Sequence, residues 1–316
     1  MKNPFSIYDF LGYLFPGILA MSMIVYFSKG EPDIVKFWAA YGLEKRGQES
    51  GSVFSLESSV ILIILSYVLG HVISYLSSVF VENFTNKVYG YPSRYLLEED
   101  DYTYKDLWKR FFITGSQSGN KCMMWIKKGF RYLLKFGVFI FLLPITLPVY
   151  TFGYLLDINH FITRPLDSSL RMIIKDKIKN LYDHLHIRDG EKVEDFHRIV
   201  MHYVYINVSN CQPKVNNYIA LYGFMRCMAF LLCLFFDVLL CKAIYSVDML
   251  AEIDWEIIVT LIVVFMVAYI LFLAFVKFYR RNTLEDFMTL VVDDNLSKWI
   301  MRGRLSGKMR DENDAR

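Results

Sequence analysis

The chain has 316 residues, of which 54% are hydrophobic, 17% aromatic and 21% charged. Soluble domains seldom combine so many apolar residues with this much charge, so the apolar residues must be clustered in segments. The formal net charge of +3 is too small to indicate a nucleic-acid-binding protein, and we expect no nucleic acid among its partners.

Four apolar segments are long enough to cross a bilayer, since a helix needs about 20 apolar residues to do so. They cover roughly residues 10–27, 60–80, 218–245 and 257–276. The last of them is the clearest, because no charged residue occurs between Glu256 and Lys277. The sequence therefore predicts an all-α, polytopic helical membrane protein with four spans. Its spans contact the lipid bilayer, which is thus one of its partners.

A fifth apolar segment, residues 133–156, contains two prolines four positions apart, Pro144 and Pro148. Each proline removes a backbone donor and clashes with the preceding turn, so a straight helix through this segment would break. The segment is either a kinked span or a re-entrant or interfacial hairpin, and the distribution of basic residues favours the hairpin.

Basic residues are concentrated in three regions, and short loops rich in Lys and Arg stay on the cytoplasmic side. Residues 81–131, residues 157–217 and the tail after Val276 each carry nine Lys or Arg side chains. Residues 29–58 and 246–256 are richer in acidic side chains and are predicted to lie outside. Both termini are then on the cytoplasmic side of the membrane.

These assignments divide the chain into four parts. They are a first helix pair 1–80, a small cytoplasmic helical layer 81–217 that contains segment 133–156, a second helix pair 218–281 and a charged tail 282–316. Within the layer, apolar residues at helical spacing predict one helix whose start is capped by Asp167 or Ser168 and a second one after Gly190.

Small residues recur every four positions in the second span, at Ser66, Gly70, Ser74 and Ser78. Four-residue spacing advances only about 40° around a helix, so these residues form one ridge. The ridge either packs closely against another helix or, together with the neighbouring His71, lines a hydrated path in an oligomer.

Ionisable groups inside a span are costly and therefore indicate a functional site. Besides His71, the span 218–245 contains Arg226 and Asp237, with Lys242 near its end. Arg226 lies near the inner edge and is expected to extend toward lipid phosphates. Asp237 is deeper and needs a partner, for which His71 is the candidate donor. We therefore expect any activity to depend on His71 and Asp237.

Signatures of enzymes are missing from the sequence, which contains no nucleophile elbow, phosphate-binding loop or zinc-protease motif. His184, His186, His197 and His202 lie near acidic residues but lack the three- or four-residue spacing of metal ligands on a helix. We therefore expect no enzymatic activity, no cofactor and no bound metal.

Three stretches carry a resemblance to a known group of proteins: SIYDFLGYLFPGIL, LSYVLGHVISYLSS followed by YGYPSRYLL, and YGFMRCMAFLL. The chain resembles uncharacterised multi-pass inner-membrane proteins of bacteria, some of which occur in phage-defence-like gene neighbourhoods. The resemblance covers about a fifth of the chain, mainly residues 6–17, 65–97 and 222–232. It implies a prokaryotic inner membrane and a role in antiviral defence, and it transfers no catalytic residue.

Two classes of function follow from the sequence. The first is an oligomeric membrane effector or pore component whose spans respond to a partner, with bacterial phage defence as the setting that the resemblance implies. The second is a non-conducting membrane anchor or scaffold that recruits a soluble cytoplasmic protein through residues 81–131 and 157–217.

Overall fold

The computed structural model describes residues 9–28, 56–98, 121–187, 195–208, 212–248, 255–293 and 296. All elements in these ranges are helices, and no strand occurs among them, as the all-α prediction requires. The predicted outside loops and the last twenty residues of the predicted tail lie wholly or mostly beyond the described residues.

The described helices follow one another in this order: a π-helical turn Phe10–Leu14, α1 (Phe15–Ser28), α2 (Leu56–Ser77), a π-helical turn Ser78–Glu82, α3 (Asn83–Val88), α4 (Pro92–Leu97), α5 (Lys121–Phe141), α6 (Leu143–Tyr150), α7 (Phe152–Leu155), α8 (Ile158–Ile162), α9 (Ser168–His184), α10 (Phe196–Asn207), α11 (Gln212–Asp248) and α12 (Trp255–Val292).

Three helical stretches are long and apolar enough to cross a membrane, namely Val60–Leu97, Gln212–Tyr245 and Trp255–Val292. By length and composition these stretches are candidate membrane spans, which indicates a multi-pass integral membrane protein. The apolar stretch of the first predicted span, Phe10–Ile24, is shorter than these three. At about 1.5 Å per residue it covers roughly 22 Å of a hydrocarbon core of about 30 Å. Four full spans are therefore not confirmed.

The described residues form two compact units. The first, here called the apolar unit, consists of residues 9–28, 56–90, 121–162, 219–248 and 255–278. In one part of its core, α11 and α12 pack through Phe236, Leu239 and Val264. Partly buried side chains from α1 and α6, Phe27 and Leu143, pack against the same cluster.

The bend predicted for segment 133–156 lies between α5 and α6, whose axes meet at 96°. The break falls at Leu142, and Pro144 occupies the first turn of α6. A proline at that position costs no helical hydrogen bond, because the first amide groups of a helix have no acceptor within it. Pro148 lies inside α6 and does not interrupt it. The angle fits both a broken span and a re-entrant loop.

A buried asparagine holds the end of this bent segment. Asn159 in α8 is 1% exposed. It accepts a hydrogen bond from the Tyr89 hydroxyl at 2.8 Å and donates one to the Val149 carbonyl at 3.1 Å. A buried amide with both groups bonded is stabilising, whereas an unbonded one is costly. The segment is therefore tied to the chain that follows α3.

The second unit consists of residues 91–98, 163–187, 195–208, 212–218 and 279–293, with residue 296. The start of α9 is confirmed, because Asp167 is its N-cap and accepts a hydrogen bond from the Ser169 amide at 3.0 Å. The second predicted helix is α10. It buries Phe196, Val200 and Val204 against α4, α9 and the end of α12.

The boundaries of the two units differ from those of the predicted domains. Residues 81–90 and 121–162 belong with the apolar helices instead of the helical layer. Residues 282–292, predicted as the beginning of a charged tail, form the last turns of α12. They bring Phe287 and Leu290 into the core of the second unit.

Candidate functional site

The first helix crosses α2 with backbone against backbone. A Cβ atom added to Gly17 would overlap the carbonyl oxygen of Ser66, and one added to Gly70 would overlap the carbonyl oxygen of Tyr13. Ser66 is 1% exposed. Half of the predicted ridge is therefore used for packing within the chain, which is the small-residue contact that lets helices approach closely in membranes.

His71 and Asp237 are not brought together. The His71 ring stacks on Tyr13 with centroids 3.8 Å apart and meets Tyr67 edge-on at 4.7 Å. Asp237 is half-buried in α11, beside the α11–α12 core. Within the described part of the chain it has no hydrogen-bond or ion-pair partner. The expected His71–Asp237 contact is therefore wrong, because the histidine ring is held by aromatic neighbours.

Arg226 does not extend toward lipid but forms an ion pair with Glu82, from Nη1 to Oε2. Both side chains are largely buried, with exposed fractions of 11% for Arg226 and 24% for Glu82. Arg226 Nε donates to the Ser77 hydroxyl at 3.1 Å, and Nη2 lies 3.4 Å from the Ser74 carbonyl. The guanidinium is thus satisfied on three sides by α2 and the turn that follows it.

The carboxylate of Glu82 has a second donor in the same turn of chain. The Ser78 hydroxyl donates to Glu82 Oε2 at 2.9 Å. Ser77, which receives the Arg226 bond, donates its own proton to the Ser74 carbonyl at 2.8 Å. Its hydroxyl oxygen also lies 3.5 Å from Cys227 Sγ. Such additional bonds are what make burial of two opposite charges tolerable, because the Coulomb attraction alone rarely offsets their desolvation.

We define this cluster as the Arg226 site, and its members are Ser74, Ser77, Ser78, Glu82, Arg226 and Cys227. Two π-helical turns border it. One is Ser78–Glu82, which carries Glu82 itself. The other is Phe10–Leu14, where the Gly12 carbonyl lies 4.0 Å from Cys227 Sγ. Single π-helical turns in otherwise α-helical segments occur frequently at functional sites.

Glu82 is not among the site residues that the sequence predicts, although its position in the chain carries a signal. Glu82 continues the four-residue series of the ridge, four positions after Ser78. The line of small residues winds slowly around the helix axis, since each step of four residues advances about 40°. The buried face of the helix therefore shifts from one set of residues to the neighbouring one along α2. Ser77 is consequently fully buried, whereas Ser74 and Ser78 are only half-buried.

In the second unit, acidic residues of α12 lie close to the core. Asp286 is 1% exposed, and its Oδ2 is 3.2 Å from His197 Nε2. Glu285 pairs with Lys214 at 2.7 Å and with Arg281 at 3.2 Å. These contacts join α10 and the start of α11 to the last turns of α12.

Tyr203 and Asp293 form a further contact in the second unit. The Tyr203 hydroxyl donates to Asp293 Oδ2 at 2.7 Å. Burial raises the pKa of Tyr203 above its ordinary value, and the bond to Asp293 and its negative charge raise it further. The hydroxyl therefore stays protonated and remains a donor over the physiological range.

Among the described residues, no group of three His, Cys, Asp or Glu side chains is placed to hold a metal ion. Comparison of the chain with protein-family models, with curated proteins and with solved structures finds no match. The contacts of the chain's own residues are therefore what indicate its function.

Proposed function

We propose that this membrane protein is an effector whose inactive state is maintained by the Arg226 site. The ion pair of Arg226 with Glu82 is the observation that supports the proposal. A charged side chain within an apolar helix costs about 2.5 to 3.5 kcal/mol on insertion scales, so such groups mark a functional site by default. Two hydrophobic residues would hold these helices together at a lower cost.

The neighbouring backbone gives the site a second possible arrangement. A π-helical turn holds one more residue than an α-helical turn, so returning Ser78–Glu82 to α-helix would rotate the chain beyond it by about 100°. Glu82 would then leave Arg226. Loss of the ion pair and a change of helix register would accompany each other, which is how a small local event produces a large movement.

The effector acts as a homo-oligomer in a bacterial inner membrane, with both termini in the cytoplasm. The concentration of Lys and Arg in residues 81–131, residues 157–217 and the tail supports this orientation. The resemblance of the first three apolar segments to inner-membrane proteins near phage-defence-like genes supports antiviral defence as its setting. Membrane permeabilisation is the activity that such a protein would exert.

The test is dye uptake and potassium release from cells that express the full-length chain. We expect Glu82→Gln to raise permeability, because it leaves the Arg226 charge unpaired. The double variant Glu82→Leu/Arg226→Met should return permeability to the low level, since neither charge is left. His202→Ala, at an exposed position of α10, serves as the control. Wild-type permeability in a folded Glu82→Gln protein would refute the proposal.

Asp237 and His71, two further ionisable groups of the apolar unit, have a place in the same test. Asp237→Asn keeps the shape of the side chain and removes its charge, and His71→Phe keeps the stacking on Tyr13 and removes the polar ring. If the active state exposes these groups to a water-filled path, both variants should lower triggered permeability by at least several-fold without preventing insertion.

A second candidate function is a non-conducting membrane anchor that recruits a soluble protein. It is favoured by the close crossing at Gly17 and Gly70, which leaves these small residues no path to line. Large apolar side chains of the second unit, such as Met172 and Ile206, are 67% and 74% exposed. If the protein is such an anchor, Ile206→Asp should abolish its cellular phenotype, because the charge would prevent the soluble protein from binding there. Glu82→Gln should then leave membrane permeability unchanged.

A further inference from the structure

A groove in the apolar unit combines basic and apolar side chains in a way that the Arg226 site does not explain. It runs between α5 and the chain from Val79 to Lys87, and its volume is about 240 Å³. Its polar lining consists of Asn83, Lys87 and Lys135. No acidic residue lines it among those that the structure describes. The groove is therefore electrostatically suited to an anion.

The basic side chains lie toward one end of the groove. At the other end, Phe80 packs against Phe141 with ring centroids 5.2 Å apart. Lys87 follows Phe80 by seven residues, and Lys135 precedes Phe141 by six, so both lysines lie away from this aromatic contact on facing helices. The two lysines thus line the groove from two different elements.

The remaining lining is apolar and partly open to the surroundings. It includes Val79 and Leu134, which are 41% and 53% exposed, and the half-buried Val138. Phe84, which is 1% exposed, forms part of the floor. A soluble anion would gain nothing from these walls, whereas hydrocarbon chains would cover them.

We propose that the groove binds one anionic phospholipid, with its phosphate between Lys87 and Lys135. The Asn83 amide supplies a further donor, and the first methylene groups of the acyl chains lie along Val79, Leu134 and Val138. The groove is smaller than a whole phospholipid, so the rest of the chains extends into the bilayer. Basic pockets between membrane helices at the cytoplasmic side are a known mode of binding for such head groups.

The sequence of α5 agrees with a position at the membrane surface. Four basic residues occur in the stretch KKGFRYLLK, residues 127–135, and the helix then continues as the apolar FGVFIF up to its end at Phe141. A helix that passes from a basic to an apolar stretch in this way is suited to the boundary between head groups and acyl chains. This lipid site does not depend on the proposed effector function.

The test uses the full-length protein in a neutral detergent, titrated with phosphatidylglycerol and followed by native mass spectrometry and thermal unfolding. We expect phosphatidylglycerol to bind and raise the melting temperature, and phosphatidylcholine to do neither. Each lysine near an anionic surface is worth about 1 kcal/mol, so Lys87→Ala/Lys135→Ala should weaken binding about 25-fold. Lys277→Ala is the matched control, because Lys277 is exposed in the same unit but does not line the groove.

Two further variants separate the site from a general effect of charge or of misfolding. Val138→Trp keeps every charge but fills the groove, and it should abolish binding while the melting temperature without lipid stays at the wild-type value. Lys87→Arg/Lys135→Arg should retain binding. Equal binding of both lipids, wild-type binding by the alanine pair, or equal weakening by Lys277→Ala would overturn the proposal. Full competition by inorganic phosphate would show a simple anion site instead of a lipid site.

Discussion

The helices inside each of the two units are packed by different kinds of contact. In the apolar unit, the first helix meets α2 backbone against backbone, at Gly17 and Gly70. In the second unit, large side chains from α4, α9, α10 and α12 form the core, with Phe196 stacked on Phe287 at a centroid distance of 6.4 Å. Burial of apolar side chains drives folding in water, but gives no such gain between helices that lipid already surrounds.

The buried charges differ between the units as well. Arg226 in the apolar unit has three contacts with α2 and the following turn, including the ion pair. In the second unit, Glu285 is paired with Lys214, whose side chain is 58% exposed. Charges in contact with water need less compensation than charges in an apolar surrounding. Substitutions in the apolar unit should therefore have the larger effects.

The largest effect is expected at the backbone crossing. Gly70→Leu should prevent the first helix from reaching α2, because even a Cβ atom at this position overlaps the Tyr13 carbonyl. We expect no correctly folded protein, measured as a loss of the monodisperse peak and of the thermal transition in detergent. Gly137→Leu is the control, since a Cβ there meets nothing within 4 Å. A Gly70→Leu protein with wild-type size and melting temperature would contradict the packing argument.

Removal of one partner of the buried ion pair comes next. Arg226→Met should lower the free energy of unfolding by about 3 to 5 kcal/mol, because Glu82 is left as an uncompensated charge. Adding Glu82→Leu should restore most of this loss, as two apolar side chains can replace the pair. Chemical unfolding in detergent micelles measures both values. The single variant Glu82→Leu is measured as well. If the losses of unfolding free energy of Arg226→Met and Glu82→Leu add up in the double variant, the two charges do not interact as the structure indicates.

A smaller effect is expected at the asparagine that ties the bent segment to the end of α3. Asn159→Leu should cost about 1 to 3 kcal/mol, because the Tyr89 hydroxyl and the Val149 carbonyl lose their partners in a buried position. Tyr89→Phe removes only one bond and should cost less. Thermal unfolding of the two variants ranks them, and a larger loss for Tyr89→Phe would show that the amide is not the centre of this contact.

The smallest effect is expected in the second unit, at Tyr203. Tyr203→Phe removes the hydroxyl that donates to Asp293 and should cost about 1 kcal/mol at neutral pH, as the site is partly exposed. The folded-state pKa of Tyr203 is raised above 10.0, so the stabilisation is complete below about pH 10 and is lost as the pH rises further. Melting temperatures of wild type and variant should therefore converge in alkaline buffer, and a constant difference would exclude the linkage.

Several features of the fold are determined locally and were predictable. The long apolar runs around α2, α11 and α12 specify membrane helices, since their side chains cannot remain in water. The start of α9 was also predictable, because the Asp167 carboxylate accepts a bond from an amide only two residues away. Pro144 marks the bend through its effect on its own backbone.

Only the tertiary structure decided which distant groups meet. Arg226 and Glu82 are 144 residues apart. Glu82 continues the four-residue series of α2, but that series does not indicate that Arg226 is its partner. The sequence pattern alone allows Ser66 and Gly70 to line a water-filled path. In the structure the first helix crosses α2 at these residues, so its backbone covers them. Spacing along a helix determines which residues share a face, but the neighbour of that face depends on how all helices pack, because contact energies are gained only between surfaces that meet.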